Sequence, residues 1–113
     1  MADGLALVKG TLDVLVLKSL SWGPLHGVEI TTWLEQRTGG SLAVDESALY
    51  YALHRMEARR LVTADWGLTE NNRRARYYTI TSAGRKWLAA ESDQFLRYAQ
   101  TVSAVLRARA RFA

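Results

Sequence analysis

The stretch W-G-L-T-E-N-N-R-R-A-R-Y-Y, residues Trp66–Tyr78, decides the fold. Three arginines, Arg73, Arg74 and Arg76, crowd the far side of a polar turn, and within the stretch only Glu70 opposes them. Ahead of the turn, Val62, Ala64, Trp66 and Leu68 alternate with Thr63, Asp65 and Gly67. Beyond it, Tyr78 and Ile80 alternate with Tyr77, Thr79 and Thr81. Period-two patterning on both sides of a Thr69–Arg74 turn predicts a β-hairpin, with Tyr77 and Tyr78 facing opposite sides. A hairpin tip this basic suits a polyanion, and the DNA backbone is the foremost candidate.

Upstream of the hairpin the pattern is helical. Leu12, Leu15, Val16 and Leu20 lie on one helical face, which predicts a helix over Thr11–Ser21 capped by Thr11, with Asp13 suiting the first turn. Trp22-Gly23-Pro24 turns the chain. A second helix is expected from His26 to Thr38, with Ile30, Trp33, Leu34 and Arg37 facing inward and Gly39-Gly40 ending it. Asp45 is a good N-cap for a third helix with Leu49, Leu53 and Met56 inward. Downstream, Ser82 is expected to cap a helix reaching Leu106, roughly 37 Å long.

Three short helices, a hairpin and a long helix make a mostly α, α+β architecture: the winged helix-turn-helix, with the third helix as reader and the hairpin as wing. Residues 1–81 would form the winged-helix unit, and residues 82–113 a C-terminal dimerisation helix with a basic tail.

The charge distribution agrees. The 113 residues carry a net charge of +4, but residues 1–44 hold three bases against four acids, while residues 61–90 hold five against two. With 49% hydrophobic residues the chain is not disordered. It has no cysteine, so disulfides and thiolate metal sites are excluded. The longest run of large apolar residues, Val14–Leu17, falls far short of the roughly 20 a membrane helix needs. The N-terminal M-A-D-G lacks a basic, signal-like opening, so a soluble cytoplasmic chain is expected.

On the third helix, the face opposite Leu49 and Leu53 carries Ser47, Tyr50, Tyr51, His54 and Arg55. Ser47 and Tyr50 are placed to hold phosphates; Tyr51, His54 and Arg55 are placed to approach base edges. His26, at the start of the second helix, is a candidate phosphate contact. With His54 it completes the histidine inventory, and no spacing supports a metal site. No nucleophile elbow, phosphate-cradling glycine loop or His-Glu helix motif is present, so neither catalysis nor a cofactor is expected.

In the last helix Leu88, Ser92, Phe95, Ala99, Val102 and Leu106 are spaced 4, 3, 4, 3, 4, the rhythm of a helix-packing seam. Trp87, Glu91, Tyr98 and Val105 form a neighbouring stripe. One face can pack on the chain's own domain while the other meets a second copy, so a two-fold homodimer is expected. The competing reading is a winged-helix protein-interaction module that never touches DNA.

K-G-T-L-D-V-L-V-L-K-S-L (Lys9–Leu20), G-P-L-H-G-V-E-I (Gly23–Ile30), S-A-L-Y-Y-A-L-H-R-M-E (Ser47–Glu57) and W-G-L-T-E-N-N-R-R-A-R-Y-Y-T-I-T (Trp66–Thr81), followed by S-A-G, resemble PadR-family transcriptional regulators in order and spacing. The short length resembles the compact branch of that family. The resemblance implies a winged-helix homodimer that represses transcription from a palindromic operator. It also implies a small aromatic or drug-like effector that loosens DNA binding. Carried over, the DNA contacts are His26, Ser47, Tyr50, His54, Arg73, Arg74 and Arg76, and Trp87 is the candidate effector contact between protomers. Val28 stands where the family commonly has tyrosine, and Tyr51 where relatives often carry proline or a basic residue, which would alter operator choice.

Overall fold

A computed structural model describes residue 7 and residues 10–112. The reading of the N-terminal M-A-D-G lies outside these residues. Seven elements follow one another: α1 Thr11–Ser19, β1 Leu25–His26, α2 Gly27–Arg37, α3 Glu46–Ala58, β2 Val62–Leu68, β3 Arg74–Ile80 and α4 Ser82–Leu106. The three strands form one antiparallel sheet in the order β1-β3-β2. The mostly α, winged-helix architecture expected from the sequence is present.

The helix borders follow backbone hydrogen bonding. Asp45 caps α3 by accepting from the Ala48 N–H at 3.2 Å. The α2 helix ends where Gly39 takes the left-handed conformation at φ 59°, and the Gly40 N–H reaches back to the Glu35 carbonyl at 2.9 Å. The α3 helix ends in the same way on a non-glycine residue. Arg60 sits at φ 61°, and the Leu61 N–H donates to the Met56 carbonyl at 2.9 Å.

Several borders differ from expectation. The cap residue of α1 is Gly10, at φ 89°, rather than Thr11, and the helix stops at Ser19. Thr81 rather than Ser82 caps α4: its hydroxyl accepts from the Gly84 N–H at 3.0 Å and lies 2.8 Å from the Arg60 carbonyl. At α4 the cap shifts because the Thr81 hydroxyl, one residue earlier, already reaches the Gly84 N–H, whereas Gly10 makes no side-chain cap at α1. The two-residue strand β1 had no sequence signal, since two residues carry no periodicity. It exists because Leu25 and His26 find Tyr78 and Tyr77 across the sheet.

The core gathers Val16, Leu17 and Leu20 from α1, Ile30 and Leu34 from α2, Leu49, Leu53 and Met56 from α3, and Val62, Tyr78 and Ile80 from the sheet. The first helix touches α2, α3 and α4, so it is covered on more than one side. Asp13, Leu17 and Ser19 are therefore buried, while Leu12 and Leu15, assigned inward by spacing, are half-buried. Arg37 is exposed instead of inward, its guanidinium 5.8 Å from the Trp33 ring centre. Gly84 lets α4 start hard against the sheet. A Cβ there would strike the Leu61 carbonyl oxygen and come within 2.8 Å of Ile80 Cγ1. Leu88, one turn on, belongs to this same core.

Candidate nucleic-acid interface

Three elements converge on one open groove of about 620 Å³. Its walls are the start of α2, the outer face of α3 and the hairpin β2–β3. Among its lining residues are His26, Tyr50, His54, Arg73, Arg74 and Arg76. Six residues singled out from separate stretches of sequence thus meet in one place. A shallower hollow beside it is lined by Asp45, Ser47, Tyr50, Tyr51 and His54.

At the groove's floor, His26 is the N-cap of α2 in extended conformation. Its backbone N–H donates to Glu29 Oε1 at 3.0 Å, and its imidazole Nε2 lies 3.6 Å from the same oxygen. The side chain is 15% exposed and meets the Tyr77 ring edge-on at 5.3 Å. Tyr50 leans from α3 onto Gly27, the first residue of α2. A Cβ at Gly27 would meet the Tyr50 hydroxyl and come within 2.8 Å of Cζ. Glycine at this position is what lets the ring lie across the helix start. Val28, exposed beside it, lines the same groove.

Along α3, Ser47, Tyr51 and His54 are exposed. Arg55 is half-exposed and its Nη2 is bonded to Asp13 Oδ1 at 2.6 Å, with the guanidinium 5.5 Å from the Tyr51 ring centre. It lies outside both hollows, on the flank of α3 nearest α1.

The wing turn is held by Thr69. Its N–H donates to the Arg73 carbonyl at 2.8 Å, its carbonyl accepts from the Asn72 N–H at 2.9 Å, and its hydroxyl accepts from the Arg73 N–H at 3.2 Å. Asn72 sits at φ 61°, a left-handed conformation that asparagine tolerates. Arg73 and Arg74 are exposed at the tip. Arg76 is different: its Nη2 is 3.1 Å from Glu57 Oε2, and its buried Nε has no hydrogen-bond partner among the described residues.

Trp66 shares the alternating set of β2 with buried Val62, yet it is 62% exposed. The hairpin projects past the core there, so its period-two pattern no longer sorts inside from outside. The indole instead lies 4.7 Å from the Arg74 guanidinium and 6.0 Å from that of Arg76. Glu57 and Trp66 are the site residues that sequence reasoning passed over. The pairing of Trp66 with Arg76 across the hairpin was the available signal. Burial pushes the Tyr78 phenol above its ordinary 10.0, and the Arg76 guanidinium pulls the other way.

The sequence profile of the Transcriptional regulator PadR-like family matches residues 16–90, which takes in α2, α3 and the whole wing. The chain belongs to the PadR-like family of transcriptional regulators. Solved structures share its fold. A transcriptional regulator from Clostridium thermocellum superposes with a TM-score of 0.77 at 23% identity, over 88% of this chain and 97% of the other. A PadR-like transcriptional regulator from Bacillus cereus does so at 0.76 and 25% identity, over 89% and 96%. Bacillus subtilis PadR, solved in complex with operator DNA, matches at 0.66 and 20% identity, over 86% of this chain and 61% of its own. In sequence, an uncharacterized protein X of Lysinibacillus sphaericus is 29% identical over 83 residues, 74% of this chain and 76% of its own length. A 37.1 kDa protein of a Streptomyces fradiae transposon is 39% identical over 85 residues, 75% of this chain but 23% of its own length.

In this PadR-like chain the remaining site residues lie on α4. Phe95, Val102 and Leu106 are exposed and Ala99 is half-buried, whereas Leu88, placed on the same seam by spacing, is taken up by the chain's own core. Trp87 is half-buried against that core, with the Arg59 guanidinium 5.4 Å from its ring centre. It lines a cleft of about 530 Å³ with Val14, Glu91, Phe95 and Tyr98. Arg107, Arg109 and Arg111 are exposed beyond the helix. Among the described residues, no helix is long and apolar enough to cross a membrane.

Proposed function

We propose that this transcriptional regulator acts as a cytoplasmic homodimer that represses transcription by occupying a palindromic operator. The observation that carries the reading is the single groove shared by the start of α2, the outer face of α3 and the wing arginines. A major groove about 12 Å wide admits one helix, and a wing beside that helix meets the flanking backbone. In this reading Arg73 and Arg74 neutralise phosphates, with His26, Ser47 and Tyr50 adding polar contacts at the ends of α2 and α3. Tyr51, His54 and Arg55 discriminate bases. Arg55 is braced by Asp13, so its guanidinium would meet DNA already oriented.

Residues 1–81 carry DNA recognition, and residues 82–113 carry dimerisation through Phe95, Ala99, Val102 and Leu106. The exposure of Phe95, Leu96, Tyr98, Val102, Val105 and Leu106 on one long helix supports this, because an unpartnered helix of that composition is costly in water. Two copies would set their reading helices about 34 Å apart, one turn of DNA. The cleft beside Trp87 opens next to Phe95, so a small aromatic effector seated there would touch the dimer seam and change operator affinity.

Selection of bound DNA from random oligonucleotides tests the reading by reporting site, symmetry and spacing together. The expected product is an inverted repeat with half-sites one turn apart. An Arg73→Ala, Arg74→Ala double variant is expected to lose affinity for specific and random DNA alike and to show a shallower salt dependence. Unchanged affinity and salt slope on both would remove the wing from the interface. No selected site at all would favour a protein-interaction module.

A further inference from the structure

Arg76 stands among the wing arginines in sequence, but its surroundings differ from those of Arg73 and Arg74. Those two are exposed at the hairpin tip. The side chain of Arg76 is 34% exposed, with Nη2 3.1 Å from Glu57 Oε2 and a buried Nε that has no partner among the described residues. Its guanidinium lies 5.9 Å from the ring centre of buried Tyr78 and 6.0 Å from that of Trp66. Trp66 is paired with Arg76 across the hairpin, and the Arg74 guanidinium lies 4.7 Å from the same indole. A continuous row therefore runs Glu57, Arg76, Trp66, Arg74. It begins on α3 one turn beyond His54 and ends at the wing tip.

We propose that Glu57, Arg76 and Trp66 form a strut that fixes the angle of the wing relative to the reading helix, making Arg76 and Glu57 positioning residues rather than phosphate contacts. The inference rests on the DNA-binding reading above. Its physical basis is the geometry of a two-stranded hairpin that projects beyond the core. Past Ala64 few side chains of the hairpin are buried, so burial alone holds the outer half weakly. An arginine tied to a carboxylate on α3 and set against an indole on the facing strand joins reader and wing. A wing held at its working angle binds without first losing conformational freedom.

Charge makes the proposal separable from its rival. Glu57 is an acid close to the DNA-facing groove, and a carboxylate there repels phosphate. If it merely held back a DNA-binding Arg76, Glu57→Gln would strengthen binding and add about one phosphate to the salt slope. If the pair is a strut, Glu57→Gln weakens specific binding although it removes a negative charge.

The test measures wild-type, Glu57→Gln, Arg76→Lys and the double variant Glu57→Gln, Arg76→Gln. Each is titrated with the operator selected by the wild-type chain and with random duplex across a salt series, well below the melting temperature. Glu57→Gln is expected to lose about tenfold in specific affinity, with its salt slope unchanged and the specific-to-random ratio reduced. Arg76→Lys keeps the charge but not the planar fork, and is expected to fall similarly. The double variant should be little worse than either single one. Tighter binding by Glu57→Gln with a steeper slope would overturn the strut and return Arg76 to the phosphate contacts. An unchanged specific-to-random ratio in both single variants, with only a lowered melting temperature, would reduce the pair to fold stability and also overturn it. If Glu57→Gln does not fold, the ratio for Arg76→Lys decides in the same way. A wild-type chain that selects no operator would overturn the DNA reading and the strut together, whereas wild-type selection with unaffected variants overturns the strut alone.

Discussion

Arg55 Nη2 lies 2.6 Å from Asp13 Oδ1, joining the helix that faces the groove to the first helix of the chain. The pair is lopsided: the Asp13 side chain is 9% exposed and that of Arg55 49%. A carboxylate this buried depends on its partner, whereas the guanidinium can fall back on water. Arg55→Ala should therefore destabilise the fold by about 1–2 kcal/mol, discounted for the exposure of the arginine. Thermal melting would register this as a drop of several degrees. Adding Asp13→Asn to Arg55→Ala should recover part of the loss, because it removes the stranded charge. A double variant less stable than the single one would show that Asp13 is held by something other than Arg55.

Gly27→Ala tests the contact between α2 and Tyr50. The new Cβ would fall within 2.8 Å of Tyr50 Cζ, so the ring must move. Tyr50 is 42% exposed and can swing outward, so the cost in stability should stay below about 1 kcal/mol. The groove between α2 and α3 would change shape, and operator affinity is expected to fall. Titration of the operator together with a melt separates the two effects. Full affinity in a stable variant would exclude Tyr50 as a contact.

Phe95→Asp places a charge in the open part of the α4 seam, where Phe95 is 45% exposed. Sedimentation is expected to report dimer for the parent chain and monomer for the variant, and binding to a two-half-site operator should fall with it. A dimeric, active variant would move the interface away from Phe95.

Alkaline stability follows from Tyr78. Its phenol is raised above 10.0 in the fold, chiefly by burial. Below 10.0 the group is protonated in both folded and unfolded chains, so the stabilising effect of the shift is fully present. Above it the unfolded chain releases the proton first, binds fewer protons than the folded one, and stability declines as pH climbs toward the folded value. Tyr78→Phe should flatten that alkaline decline. Urea melts between roughly pH 9 and pH 11, the window spanning the ordinary tyrosine value, would show it. An equally steep decline in the variant would assign the loss to other groups.

Much of this was legible along the chain. The three helices and the hairpin had local signals: apolar spacing, the Asp45 cap, Gly39-Gly40 and the alternation around the E-N-N turn. His26, Tyr50, His54 and the wing arginines were identifiable because polar and aromatic side chains recur where the apolar face of each element is not. Other features had no local signature. The strand β1 is two residues long and depends on Tyr77 and Tyr78 some fifty residues away. The burial of Asp13 depends on α1 being covered by three other helices. Trp66 obeyed the alternation of its strand but lay beyond the edge of the core that gives alternation its meaning.

The sequence by itself therefore determined the four helices, the hairpin and their order, because helix and strand periodicity, capping and turn chemistry act over a few residues, and its motifs in their order pointed to the family. Only the tertiary structure decided how the surroundings of the arginines differ. Arg73, Arg74 and Arg76 are chemically alike and nearly adjacent, and their side-chain chemistry does not distinguish them. The distinction arises when α3 brings Glu57 within 3.1 Å of Arg76 and leaves the other two in solvent. The same packing brings Asp13 to Arg55 and Gly27 beneath Tyr50. Ion pairing and close contact are set by distance in space, and that distance exists once the core has placed the helices against one another.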